Sequence, residues 1–137
     1  MVEGSCLCGN VRWKFRGEPV SATACNCTAC RRYGALWIYG FEGEEIEVGG
    51  ETRNYKRQPS SPLDFRFCGS CGVLAAWRST RLGEDGKRRM AVNIRLCEPE
   101  AVGHLPIDPF EGLHSFEDLP RDGRTVAHLW PDLHPMP

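Results

Sequence analysis

The chain has 137 residues, 41% of them hydrophobic and 26% charged, with 17 Lys and Arg against 18 Asp and Glu for a formal charge of -1. That length predicts one domain, read as residues 3–137, and the even charge excludes the basic surface by which nucleic-acid binders neutralise phosphate. The longest apolar run, Val73-Leu74-Ala75-Ala76-Trp77, falls far short of the ~20 residues a membrane span needs, and Met1-Val2-Glu3-Gly4-Ser5 has no apolar export signal. Along the chain, Val11-Arg12-Trp13-Lys14-Phe15 alternates apolar and basic residues, the period-2 pattern of a half-buried strand. One short helix is expected over residues 28–33, with Asn26 or Thr28 as its N-cap. Leu36-Trp37-Ile38-Tyr39-Gly40-Phe41 predicts a second strand, and Gly49-Gly50 between residues 45–48 and 52–55 predicts a hairpin. Residues 64–67, 73–77 and 89–94 complete the strands. Beyond Pro99 the chain is rich in Pro, His and acid and is read as mostly loop.

Eight cysteines dominate the rest. They fall as Cys6-x-Cys8, Cys25-x-Cys27-x-x-Cys30, Cys68-x-x-Cys71 and a single Cys97. An even number admits a disulfide framework, but a chain without an export signal is expected in a reducing cytoplasm, where structural disulfides are rare. Tight clusters suit a small tetrahedral ion instead. Cys68-Gly69-Ser70-Cys71-Gly72 has the form of a zinc knuckle, and Cys6-Leu7-Cys8-Gly9 supplies two more sulfurs, so Cys6, Cys8, Cys68 and Cys71 together make a structural site. A thioredoxin-like redox pair at Cys68 and Cys71 is the competing reading. The triplet Cys25, Cys27 and Cys30 brings three ligands and leaves a fourth position open, as catalytic zinc requires. Cys30 is expected in the first helical turn, where the helix end favours a charged sulfur. Arg31 and Arg32 follow directly and are either partners for a ligand carboxylate or solvated surface residues. Cys97, or one of His104, His114, His128 and His134, is the candidate to close the site as a second structural centre. Trp37, Tyr39, Trp77 and Trp130 suit either a pocket or a core.

The segments Gly4-Ser5-Cys6-Leu7-Cys8-Gly9-Asn10-Val11-Arg12, Cys25-Asn26-Cys27-Thr28-Ala29-Cys30-Arg31, Phe65-Arg66-Phe67-Cys68-Gly69-Ser70-Cys71-Gly72 and Met90-Ala91-Val92-Asn93-Ile94 resemble the glutathione-dependent formaldehyde-activating enzymes, the CENP-V/GFA domain family. The likeness spans about residues 3–97. It implies a mainly β, Mss4-like tent of small antiparallel sheets around two zinc ions. By the same resemblance Cys6, Cys8, Cys68 and Cys71 hold the structural ion, and Cys25, Cys27 and Cys30 the catalytic one. The implied reaction is that of a carbon–sulfur lyase in reverse, joining glutathione and formaldehyde as S-(hydroxymethyl)glutathione. Where relatives commonly read Leu-Asp after the late strand, this chain has Leu96-Cys97-Glu98, which keeps a closed second site in play. The alternative function is a binding module whose two zincs are both structural. A monomer and a homodimer both fit the length and charge.

Overall fold

A computed structural model describes residues 1–130. Strands β1 (Val2–Ser5) and β2 (Arg12–Phe15) pair antiparallel, with Val2 opposite Phe15 and Ser5 opposite Arg12. Alternation in β2 buries Trp13 and Phe15 and leaves Arg12 and Lys14 in solvent, because successive side chains leave a strand on opposite faces. Gly4 lies against the Trp13 indole, and a β-carbon there would overlap the ring. The chain then enters β3 (Ala22–Cys25), helix α1 (Thr28–Tyr33) and β4 (Trp37–Phe41). Next come β5 (Ile46–Gly49), β6 (Thr52–Tyr55), β7 (Leu63–Cys68), β8 (Leu74–Ser79) and β9 (Arg89–Asn93).

The predicted strands over residues 45–48 and 52–55 are present, but they do not form a hairpin. β5 pairs with β2 and closes a three-stranded sheet, whereas β6 pairs with β7 at the edge of a larger one. Gly49-Gly50 is the crossing between the two sheets. Gly50, at φ +96°, lies so close to the Asn10 carbonyl that no β-carbon fits, which holds this turn against the β1–β2 connection.

The mainly β, Mss4-like tent is what the chain forms. Its larger sheet runs β11 (Glu117–Asp118), β10 (Ile107–Glu111), β3, β4, β9, β8, β7, β6, and the two strands named first come from the C-terminal segment. The expectation of loop beyond Pro99 is corrected by a second helix α2 (Pro99–Val102), strands β10 (Ile107–Glu111) and β11 (Glu117–Asp118), and a 3-10 turn at Val126–Leu129. β10 runs parallel to β3, placing Ile107 opposite Ala22 and Phe110 opposite Cys25, so the sheets are not antiparallel throughout. Isolated apolar residues anchor this segment. Val102, Leu105, Ile107 and Val126 are all buried, yet Pro, His and acidic neighbours break the periodicity that would have shown it.

Alternation also sorts the large sheet's two faces. Ile38, Met90 and Val92 join the larger core with Trp13, Phe15 and Ile46, while Trp37 and Ala91 belong to a second cluster with Phe65, Leu74, Trp77 and Cys30. Asn93, buried at the end of β9, accepts the Leu36 and Arg95 N–H groups and donates to the Leu74 carbonyl. Two bonds of this buried amide tie β9 to the starts of β4 and β8, and the third caps the 3-10 turn that follows it.

Candidate metal centres and the cavity beside them

The β1–β2 turn and the β7–β8 turn meet at four sulfurs. Cys6, Cys8, Cys68 and Cys71 lie with all sulfurs within 4.8 Å of one another, the Cys6–Cys8 and Cys8–Cys68 pairs at 3.7 and 3.6 Å. These separations are far beyond the ~2.05 Å of a disulfide. They match the ~3.8 Å edge of a tetrahedron with metal–sulfur bonds of ~2.3 Å. Backbone N–H groups already point at the sulfurs: Val11 donates to Cys6 at 3.2 Å, and Ser70 and Cys71 each donate to Cys68 at 3.4 Å. Gly72, at φ +78°, makes the knuckle turn possible.

Protons are shared unequally in this cluster. The N–H groups of Val73 and Cys8 bring Cys71 down to about 6. The Asn10 N–H favours ionised Cys8, yet desolvation and the thiols of Cys68, Cys6 and Cys71 hold it up at about 11. Four adjacent thiols cannot all ionise unless a cation joins them, so the donor set and its spacing fit a soft divalent ion such as zinc.

Three further sulfurs converge where β3 runs into α1. Cys25, Cys27 and Cys30 also lie within 4.8 Å of one another. Cys27, rather than the expected Asn26 or Thr28, caps the helix, its sulfur accepting the Cys30 N–H at 3.2 Å. Asn26 is committed elsewhere. Its Oδ1 accepts the Gly112 N–H at 2.9 Å and its Nδ2 donates to Glu111 at 3.1 Å, pinning the cysteine loop to the β10–β11 turn. Cys30 is buried, and the Trp37 indole N–H donates to its sulfur at 3.4 Å. Burial outweighs that donor and pushes the metal-free Cys30 thiol well above the ordinary range, so the six-residue helix does not keep it charged as expected. Burial raises Cys25 likewise. For Cys27 burial acts in the same sense, but the N–H of Cys30 and the neighbouring thiols bring it below its usual value. A three-thiol set of this kind fits a soft ion with one position left over.

No other cysteine or histidine among the described residues joins either cluster. Cys97 sits in the larger core, its thiol pushed up to about 12 by burial and the nearby Glu98 carboxylate. His104 and His114 are exposed, and His128 closes a capping box with Thr125; His134 lies outside the described residues. Arg31 and Arg32 are exposed, and Arg32 donates to the Thr28 carbonyl of its own helix.

The triad opens onto a cavity of about 620 Å³ whose lining includes neither Arg31 nor Arg32. The cations that line it are Arg57 and Arg89, with Asp118 as the acid. Arg57 donates to the Thr28 hydroxyl at 2.8 Å, and Arg89 lies over the Tyr39 ring at 5.1 Å. Among the described residues neither guanidinium is paired with a carboxylate. Trp37 and Trp77 serve as core and lining at once, Tyr39 joins them in the lining, and Trp130 packs on the larger core instead. Sequence reasoning missed Arg57, Arg89, Phe110, Gly112, Phe116 and Asp118. They stand 27 or more positions from the triad in sequence (57 − 30 for Arg57), and only the sheet order brings them together.

The model of the glutathione-dependent formaldehyde-activating enzyme family matches residues 1–99, a span that holds all eight cysteines. A comparison with curated proteins gives no match. Among solved structures, a Rhodobacter sphaeroides protein aligns with a TM-score of 0.55 at 22% identity, covering 77% of this chain and 98% of that one, a likeness of fold.

Proposed function

This chain belongs to the glutathione-dependent formaldehyde-activating enzyme family, and we propose that it is a zinc-dependent enzyme adding a glutathione-like thiol to an aldehyde such as formaldehyde. In this reading Cys6, Cys8, Cys68 and Cys71 hold a structural zinc, and Cys25, Cys27 and Cys30 hold a second, two per chain. The observation that carries it is the pairing of a three-sulfur cluster with a cavity lined by Arg57, Arg89 and Asp118. Glutathione bears two carboxylates and one ammonium group, and the lining offers two cations and one acid in complement. Arg31 and Arg32, outside the lining, play no part in this binding.

Zinc at the triad would supply the positive charge that keeps an incoming thiol ionised near neutral pH. Arg57 and Arg89 orient the carboxylates, Asp118 takes the ammonium group, and the aromatic lining keeps bulk water from the sulfur. Held in this way, the sulfur bonds to the aldehyde carbon, the carbonyl π pair moves to oxygen, and the thiol's proton ends on that oxygen through water. Much of the acceleration then comes from bringing two reactants together. We assign the chain to the cytoplasm, where glutathione is abundant.

The deciding measurement is zinc stoichiometry with and without glutathione, in the wild type and in Cys27→Ser. Two ions per chain, one absent from the variant and the same one retained more tightly with glutathione, is the expected result. Two ions held equally and indifferent to glutathione would instead make this a binding module with both centres structural.

A further inference from the structure

We propose that the Phe110 and Phe116 rings on the cavity's C-terminal wall select the electrophile, and that they suit an aldehyde carrying an aromatic or similarly bulky apolar group better than formaldehyde. The inference rests on the reading that a glutathione-like thiol enters at the triad, and it names the class of the second reactant.

The floor of the cavity is rigid sheet, with Trp37 and Tyr39 from β4 and Trp77 from β8. The C-terminal wall adds Phe110 and Phe116, whose rings meet edge to face with centroids 6.3 Å apart. Phe116 is 71% exposed and its backbone has φ +55°, a conformation that bulky residues rarely adopt. An exposed ring held in costly backbone at a cavity mouth points to a ligand that uses it. The wall is tied to the sheet. β10 is paired to β3, Phe110 stands opposite Asp118 in β11, and Asn26 clamps the Gly112 N–H. Glu111 accepts the N–H groups of Leu113 and His114 and so fixes the turn from within. The wall also lies outside residues 1–99, the span shared with the family.

Size decides what the wall is for. Formaldehyde is scarcely larger than a water molecule, whose share of liquid volume is ~30 Å³, whereas the cavity of about 620 Å³ that receives the thiol also carries two aromatic rings on this wall. Formaldehyde has almost no apolar surface to cover, so Phe110 and Phe116 gain nothing from it. An aryl group beside the same carbonyl would bury ring surface at ~25 cal/mol per Å². Arg57, Arg89 and Asp118 remain for the thiol. The chemistry is unchanged: sulfur bonds to the carbonyl carbon, the π pair and the thiol proton go to oxygen, and no oxidant or reductant takes part.

The test uses the full chain loaded with zinc and measures calorimetric affinities for glutathione, S-methylglutathione and S-benzylglutathione, the last two standing for the formaldehyde and benzaldehyde adducts. S-benzylglutathione should bind about tenfold more tightly than S-methylglutathione, as expected for burying one ring face. That ratio should fall to near one in Phe116→Ala and in Phe116→Asn, whose side chain tolerates the left-handed backbone. It should persist in Val20→Ala, since Val20 is 83% exposed and does not line the cavity. Exchange NMR of hemithioacetal formation should show a larger enzyme-to-uncatalysed rate ratio for benzaldehyde than for formaldehyde. If glutathione binds but the two S-substituted forms are equal, or the ratio ignores Phe116, the inference is overturned and the thiol reading stands. If glutathione itself does not bind, that reading fails and the inference falls with it.

Discussion

A β-carbon at position 112 would overlap the Cys25 sulfur and stand 3.2 Å from the Cys27 β-carbon. Glycine is needed at this point because a sulfur occupies the space, not because of its backbone freedom. Gly112→Ala should therefore displace Cys25 and reduce the zinc content from two ions per chain to one, with the Cys₄ ion retained; metal analysis after gel filtration checks it. Thiol titration gives a second prediction. Burial raises Cys25 and Cys30, so each holds its proton to a higher pH than a free thiol, and an ion must displace those protons to bind. In the other cluster Cys6 and Cys71 are lowered and only Cys8 is raised among the shifted thiols. Proton competition is thus stronger at the triad, and lowering the pH from about 8 to about 5 should release its ion before the other. A chromogenic zinc indicator should show two steps in the wild type and one in Cys27→Ser; loss of the Cys₄ ion first would contradict this ranking. At this scale the seven clustered cysteines were legible in the sequence, because ligand spacing within a turn is a local property. Arg57, Arg89 and Gly112 were not, because nothing near them in the chain marks a residue that acts only through a distant neighbour.

Strands were legible wherever alternation or branched and aromatic residues ran unbroken, as in β2, β4 and β9. Pairing was less so. Thr52-Arg53-Asn54-Tyr55 follows two glycines after β5, the local signature of a hairpin, but Ile46 is required beneath Phe15 and the contact between Gly50 and Asn10 directs the chain away. β10 hid altogether, since Ile107-Asp108-Pro109-Phe110-Glu111 contains a proline and two acids. Its strand character comes from parallel pairing with β3 and from the buried residues on either side of it. Leu105 is 1% exposed, and its carbonyl accepts the Val126 N–H at 2.9 Å. Leu105→Ala should cost about 2–5 kcal/mol, the usual range for opening a buried leucine-sized cavity. Chemical denaturation should show a lower midpoint, and an unchanged midpoint would mean that the C-terminal segment is not part of the core.

Taken whole, the molecule places the four-sulfur cluster where the two sheets meet and the three-sulfur cluster on the other face of the larger sheet. The strand carrying the three-sulfur cluster is held unevenly. β3 meets β4 at a single register pair, Thr23 with Trp37, but meets β10 at four, from Ile107 with Ala22 to Phe110 with Cys25. This asymmetry has a consequence in time, because a chain emerges from the ribosome N-terminus first, at ~5–20 residues per second. Once residue 97 has been made every cysteine exists, yet the strand that aligns Cys25 has still to be translated. A nascent chain can assemble its four-sulfur cluster early, while the three-sulfur one waits for Phe110 and Gly112. A product cut short between those points would carry all of the ligands and lack the frame that makes three of them a centre.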